Sequence, residues 1–301
     1  MTALLGTLHD EAQGRLCGGS PGFVAVGHVT KDLVAGGGYR LGGAVAYSAR
    51  TAQSLGLSAA VLTSAPSDLD IHGLLPDVRL RIVPSPFATT FENLYDGERR
   101  DQFLHSTAAV LKARHLPESW RAAGIVLLCP VAGELGSDWL GLFPSALVGV
   151  VPQGWMREAD SAGRVTAKPW VGADQILSQV DVLVFSEEDV GGSESEVQRY
   201  ASRARITAVT RGAQGATVFW RGVSRDSPAF SARALDPTGA GDVFAAAFLV
   251  RLSETGDPDV AAAFANCAAA LSVEGHGVDA IPTRARVEAR LGAAGLAVRG
   301  Q

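Results

Sequence analysis

The strongest chemical signal in the chain is Asp236-Pro237-Thr238-Gly239-Ala240-Gly241-Asp242, followed by the apolar run VFAAAFLVRL. Small residues and two glycines ahead of a helix start let backbone N–H groups converge on one point. The helix N-terminus adds partial positive charge there. Such a turn suits a phosphate that gains charge during transfer. Asp242, in the first helical turn, places a carboxylate beside it. A base next to an anion hole is the minimum needed to move a phosphoryl group onto a hydroxyl. The same spacing also suits a loop that merely opens a helix, with Asp242 answering the helix dipole, so both readings stand at this point.

The elements that would carry this turn follow an α/β rhythm. Residues 22–29 (GFVAVGHV) read as a buried strand, 42–55 as a helix packed on a sheet, and 58–64 as the next strand. Further strands are expected at 124–129, 147–151, 181–185 and 206–210, with helical stretches between them, as in a mostly parallel sheet. A hairpin is expected from ATVFW to GVSRD, turning at Arg221-Gly222. Two helices follow, at roughly 240–253 and 258–273, with Pro258 just inside the second, where a missing N–H costs nothing. The segment 78–104 instead alternates apolar and polar residues around Asp96-Gly97, a hairpin signal. It is expected to leave the main sheet, with 31–41, as a small antiparallel subdomain.

Composition narrows the classes. The chain has 301 residues, a net charge of -5 and 47% hydrophobic residues, enough for one large core. The mildly acidic balance and scattered basic residues give no reason to expect nucleic acid or a membrane surface as partner. Cys17, Cys129 and Cys267 are far apart, with no CxxC or Cys/His cluster, so zinc is not suggested and buried free thiols are expected. The first twenty residues carry Asp10 and Glu11 and lack the pattern of a signal peptide. No apolar run approaches the ~20 residues of a membrane span. A cytoplasmic location is expected.

DPTGAGD before an apolar helix resembles the C-terminal signature of the PfkB, or ribokinase-like, carbohydrate kinases. The resemblance runs over roughly residues 22 to 283, with a subset including myo-inositol kinases among the nearest in detail. It implies a three-layer α/β/α sandwich with a central mostly parallel sheet and a small antiparallel β lid. The whole chain, 1–301, would be one kinase domain, with a discontinuous lid at approximately 31–41 and 78–107. Asp242 would be the general base, and Gly239, Ala240 and Gly241 the anion hole. Asp32, Gly42 and Gly43 match the substrate side. Thr210-Arg211-Gly212-Ala213-Gln214-Gly215 resembles the family's TxGxxG segment near ATP, so Thr210, Gly212 and Gly215 are expected there, with Asn266 beside the adenine. Thr90-Phe91-Glu92, Pro130 to Glu134 and Gln153 to Arg157 resemble the inositol-kinase subset, making Glu134, Gln153 and Arg157 candidate substrate contacts. The implied cofactors are ATP and Mg²⁺, with a monovalent cation left open. The implied partners are a sugar or polyol acceptor and, as an expectation the lid raises, a second copy of the chain.

Two departures bear on function. The GG motif of the family continues with an Asn, whereas Gly42-Gly43-Ala44-Val45-Ala46-Tyr47 brings Tyr47 to that place. The family's metal-linked NxxE segment reads Ser186-Glu187-Glu188-Asp189, so Glu188 and Asp189 are the candidates for an indirect metal role. A nucleoside kinase of the same fold, using Phe87, Phe91 or Tyr47 as a base slot, and a catalytically silent sugar- or nucleotide-binding protein are the alternatives. A dinucleotide oxidoreductase is disfavoured, because no GxGxxG follows the first strand.

Overall fold

The computed structural model describes residues 19–34, 36–96 and 99–295; Cys17, the chain's first eighteen residues and the Gly97 half of the proposed turn lie outside them. The chain opens with β1 (Phe23–Val26), β2 (Thr30–Leu33), β3 (Tyr39–Gly42), α1 (Ala44–Ser54), β4 (Ala59–Ala65), α2 (Ile71–Leu74) and β5 (Arg79–Pro84). Next come β6 (Thr89–Asp96), β7 (Arg99–Ser106), β8 (Ile125–Leu128), β9 (Leu147–Val150), β10 (Arg157–Ala159), β11 (Val165–Ala167) and α3 (Ala173–Leu177). The remainder is β12 (Val182–Ser186), α4 (Glu194–Ala201), β13 (Ile206–Thr210), β14 (Ala216–Trp220), β15 (Val223–Ser227), α5 (Ala240–Thr255), α6 (Pro258–Ser272) and α7 (Arg284–Ala293).

Nine strands form one sheet in the order β15-β14-β13-β12-β9-β8-β1-β4-β5. Seven run parallel, and β14 and β15 close one edge antiparallel. Alternation within β1 assigns its side chains to two cores. Phe23 and Ala25 join α1, α5, α6 and α7 on one face, while Val24 and Val26 join Trp139, Trp170 and Tyr200 on the other. Ten consecutive residues of α5, Val243 to Leu252, are buried, as expected for a helix hydrophobic all round. Gly239 and Gly256, both left-handed, bound that helix. In α6, Asp257 caps the N–H groups of Asp259 and Val260 ahead of Pro258.

A second sheet, β3-β2-β6-β7, stands apart from the first. β2 and β6 pair parallel, flanked by two antiparallel pairs. The parallel pair arises because both strands leave the main sheet after a parallel strand and head outward in the same sense. The junction is fixed by buried His28. Its Nδ1 meets Thr89 Oγ1 at 2.7 Å and its Nε2 meets the carbonyl of Ala109 at 3.0 Å.

Three expectations are corrected. Residues 79–84 do not belong to the small sheet; β5 is the outer parallel strand of the main one, against β4. Its alternation is that of an edge strand with one face wet. Between β8 and β9 the described chain forms only a 3-10 turn at Ser137–Trp139 rather than a long helix. Gly133, Gly136, Gly141 and Pro144 punctuate that stretch. Between β9 and α3 lies an antiparallel hairpin, β10–β11. It abuts the free side of β7: Leu104 N–H donates to the Gly163 carbonyl at 2.7 Å, and Arg164 pairs with Asp101 at 2.7 Å.

Candidate active site

The DPTGAGD segment forms the turn into α5. The Asp236 carboxylate accepts the Thr238 N–H at 3.0 Å, which folds the turn back on itself. Burial pushes the Asp236 carboxyl up, but the Thr238 hydrogen bonds, the Gly277 N–H and nearby His276 outweigh it, and its pKa lies below the ordinary value. Gly239 has φ +77°, and a Cβ there would come within 2.5 Å of Tyr47 Cε1. Only glycine meets both conditions. Ala240 N–H is already donated to the Pro237 carbonyl at 3.2 Å. The N–H groups of Gly241 and Asp242 lie in the first turn of α5, ahead of the first intrahelical bond, which the Val243 N–H makes to the Gly239 carbonyl at 2.9 Å. The side of Gly241 where a side chain would project is open space.

Asp242 lies at the third position of α5, partly buried. Burial raises its pKa from 3.8 to about 7, the like charge of Asp189 adds to the rise, and Arg157 opposes it. Ser48 Oγ donates to the Asp242 carbonyl at 3.4 Å, tying α1 to α5. Behind the carboxyl, at the end of β8, Cys129 is fully buried; burial foremost, with Asp242 and Glu134 adding, pushes its thiol up, so it stays protonated and inert.

The substrate-side candidates divide into those the fold brings to this turn and those it does not. Asp32 on β2 stands opposite Arg40 on β3 and Phe91 on β6. Gly42 is beside it: a Cβ there would lie 3.0 Å from Asp32 Oδ2. Gly43, at φ +94°, starts α1 where a Cβ would lie 2.6 Å from the His28 carbonyl. Arg157 donates to Asp189 Oδ1 at 2.8 Å and to Gln102 of β7 at 3.3 Å. With its amide oxygen turned toward the guanidinium, Gln153 accepts from both Arg157 terminal nitrogens at 3.0 and 3.1 Å. The expectation for Glu134 is corrected. Its carboxylate is 1% exposed and accepts the N–H groups of His28, Val131 and Ala132 at 2.8–3.1 Å. Four such bonds fill its lone pairs, so it holds the loop after β8 rather than a ligand. Of the aromatic residues considered for a base slot, Phe91 is packed in the core and Phe87 is exposed.

On the donor side, Thr210 ends β13, with its hydroxyl 3.5 Å from the Phe185 carbonyl. Gly212 and Gly215, at φ +54° and +101°, turn the chain tightly into β14; a Cβ on Gly215 would lie 2.6 Å from Ala229 N. Arg211, which the sequence reading passed over, anchors the turn through Glu187 at 2.6 Å and Glu194 at 3.1 Å. The expectation that Asn266 faces the adenine is corrected: its amide nitrogen donates to Ser227 O and Oγ at 2.9 and 3.0 Å and the residue is buried.

Of the two residues expected to act indirectly on Mg²⁺, the structure ties up Asp189 and leaves Glu188 at the surface. Asp189 is 6% exposed, and its two oxygens are taken by Arg157 and by the Ser186 N–H at 3.0 Å, while Glu188 is exposed on the surface. Among the described residues no group of three or more His, Cys, Asp or Glu side chains is placed to hold a metal.

Two further residues reach the site only through tertiary structure. Arg40 of the small sheet lies 3.8 Å from Asp236 and His276 lies 3.7 Å from it on the other side. No local sequence pattern marks either one, because both depend on the small sheet and the loop after α6 meeting at the turn. Among the described residues, no helix is long and apolar enough to cross a membrane.

Residues 163–284 match the family described as pfkB family carbohydrate kinase. A fructokinase from Escherichia coli is 29% identical over 276 residues, covering 83% of this chain and 82% of the relative. An ATP-dependent ribose-1-phosphate kinase from Halopiger xanaduensis is 32% identical over 120 residues, and the match spans only 40% of that relative. The structure of a pyrophosphate-dependent kinase in the ribokinase family, solved as a sulfate complex, superposes with a TM-score of 0.76 at 25% identity, covering 88% of this chain and 98% of the other.

Proposed function

We propose, from the match of residues 163–284 to the pfkB family of carbohydrate kinases, that this chain transfers a terminal phosphoryl group to a hydroxyl of a sugar or polyol. The observation that carries the reading is the geometry of the turn: Asp242 stands at the third position of α5, in the same helical turn as the N–H groups of Gly241 and Asp242 that precede the first intrahelical bond, and burial raises its pKa to about 7. A carboxylate tuned close to neutrality is matched to proton abstraction at physiological pH.

The acceptor is bound between Asp32 with Gly42 and Gly43 on one side and the 239–242 turn on the other. Asp242 takes the proton of the attacking hydroxyl. The hydroxyl oxygen forms a bond to the terminal phosphorus as the bond to the donor's bridging oxygen breaks, and that oxygen leaves with the donor product. The N–H groups of the turn face the charge that develops on the transferred group. Arg157, held between Gln102 of the small sheet and Asp189, supplies positive charge close to the base. The small sheet excludes water and favours the acceptor over hydrolysis. No step is routed through Mg²⁺.

The donor is ATP in the first reading, seated along Thr210, Gly212 and Gly215. A second reading is favoured by the Asn266 amide nitrogen, spent on Ser227 rather than on a base: the donor is inorganic pyrophosphate, as for the similar solved structure. Both readings are tested by ADP release from Mg·ATP and phosphate release from Mg·pyrophosphate, each with a panel of sugars, inositols and nucleosides. Turnover with one acceptor that Asp242→Asn lowers about 100-fold or more is the expected result. Unchanged turnover in Asp242→Asn would remove Asp242 from the mechanism. Donor binding without turnover toward any acceptor would favour a silent binding protein.

A further inference from the structure

Tyr47 is 6% exposed, on the first turn of α1. Its ring lies against the Cα of Gly239, close enough that a Cβ there would come within 2.5 Å of Cε1. Its other edge faces the Gly42 turn: a Cβ on Gly42 would lie 3.7 Å from Tyr47 Cε2 and 3.0 Å from Asp32 Oδ2. The ring is therefore wedged between the turn that opens α5 and the carboxylate of β2. Its hydroxyl lies in the field of Asp236, Asp242 and Asp32, with Arg40 opposing; burial first, then these carboxylates, drive the phenol's pKa up, so it stays a neutral O–H. A neutral phenol here can donate to, and accept from, a bound hydroxyl, which none of the three carboxylates can do when ionised.

We propose that Tyr47 is the specificity-determining wall of the acceptor pocket, limiting its depth between Asp32 and Asp242 and giving one hydrogen bond to a hydroxyl of a compact polyol. The inference rests on the kinase reading above. A ring in this place shortens the pocket by the depth of an aromatic side chain. It thereby selects against acceptors that carry a bulky group next to the reacting hydroxyl, nucleosides above all.

The test compares wild type, Tyr47→Phe and Tyr47→Asn in steady-state assays with the donor that supports turnover and the same acceptor panel. Tyr47→Phe keeps the packing against Gly239 and removes only the hydroxyl. The acceptor KM is expected to rise about tenfold, with kcat and donor KM within about twofold. Tyr47→Asn is expected to change the preference between inositols and nucleosides at least about tenfold toward the nucleosides. An unchanged acceptor KM in Tyr47→Phe would reduce Tyr47 to a packing residue, and this arm decides even where Tyr47→Asn fails to fold. A folded Tyr47→Asn with the wild-type acceptor order would equally overturn the wall. Absence of turnover in the wild type with every acceptor and donor is a different failure, which removes the kinase reading itself and the wall with it.

Discussion

Replacing Asp189 by Asn should make the enzyme work at lower pH. In the wild type the Asp242 carboxyl titrates near 7 rather than 3.8, through burial first and the Asp189 charge second, against Arg157. The interval corresponds to at most roughly 4 kcal/mol disfavouring the ionised form, reduced because the carboxyl keeps some contact with solvent that screens it. At pH 6 about a tenth of wild-type Asp242 is ionised. Asp189→Asn removes the like charge and also releases Arg157, whose guanidinium is 2.8 Å from Asp189 Oδ1. Both changes favour the ionised base. If the midpoint falls to about 6, half of the base is ionised at pH 6, and the rate there, relative to the plateau, rises about fivefold. The assay is kcat/KM for the acceptor from pH 5 to 9, where the ascending limb reports the free enzyme's base. Arg157→Gln should move the limb the other way. A wild-type limb near 4, or a limb that Asp189→Asn shifts upward, would refute the account of Asp242. Stability supplies an independent check. A carboxyl whose folded-state pKa exceeds its unfolded one stabilises fully below about 4 and loses that contribution as pH rises through about 7. Asp242→Asn should therefore melt higher than wild type at pH 8, with the gap closing toward pH 4.

Gly239→Ala should lower stability by about 2–4 kcal/mol and lose activity. It combines a left-handed backbone at φ +77° with a Cβ driven into the Tyr47 ring; thermal melts and donor binding by calorimetry measure both effects. Glu134→Ala should cost about 3–5 kcal/mol by leaving the buried N–H groups of His28, Val131 and Ala132 unpaired. Urea unfolding measures it, and the acceptor KM of the folded fraction should match wild type, which a ligand-binding Glu134 would not allow. Arg164→Ala, which removes the 2.7 Å pair with Asp101, should cost only about 0.5–1 kcal/mol while speeding amide hydrogen exchange in β7.

The sequence by itself determined the turn into α5 and most of the sheet, because both are written in local terms. Gly239 and Asp242 are set by a backbone conformation and a helix position within a few residues. Buried strands such as β1, β8, β12 and β13 are continuous apolar runs that no other local structure explains as well. Where only tertiary structure decided, the deciding facts were neighbours far away in sequence. β5 alternates like a strand of the small sheet, yet it lies at the edge of the main one, since alternation reports one wet face and not which sheet provides the other. Glu134 and Asn266 are polar residues in the right places for ligands. Their partners, His28 from 106 residues away and Ser227 from 39, had to be folded against them before their bonding capacity was seen to be spent. Arg157 and Asp189 read as separate candidates and become one ion pair beside Asp242. The pKa of Asp242 is the clearest case: the position of the proposed base is local, but the rise of its pKa to about 7 comes from burial and from charges on β10 and the turn after β12, which only the packed protein brings together.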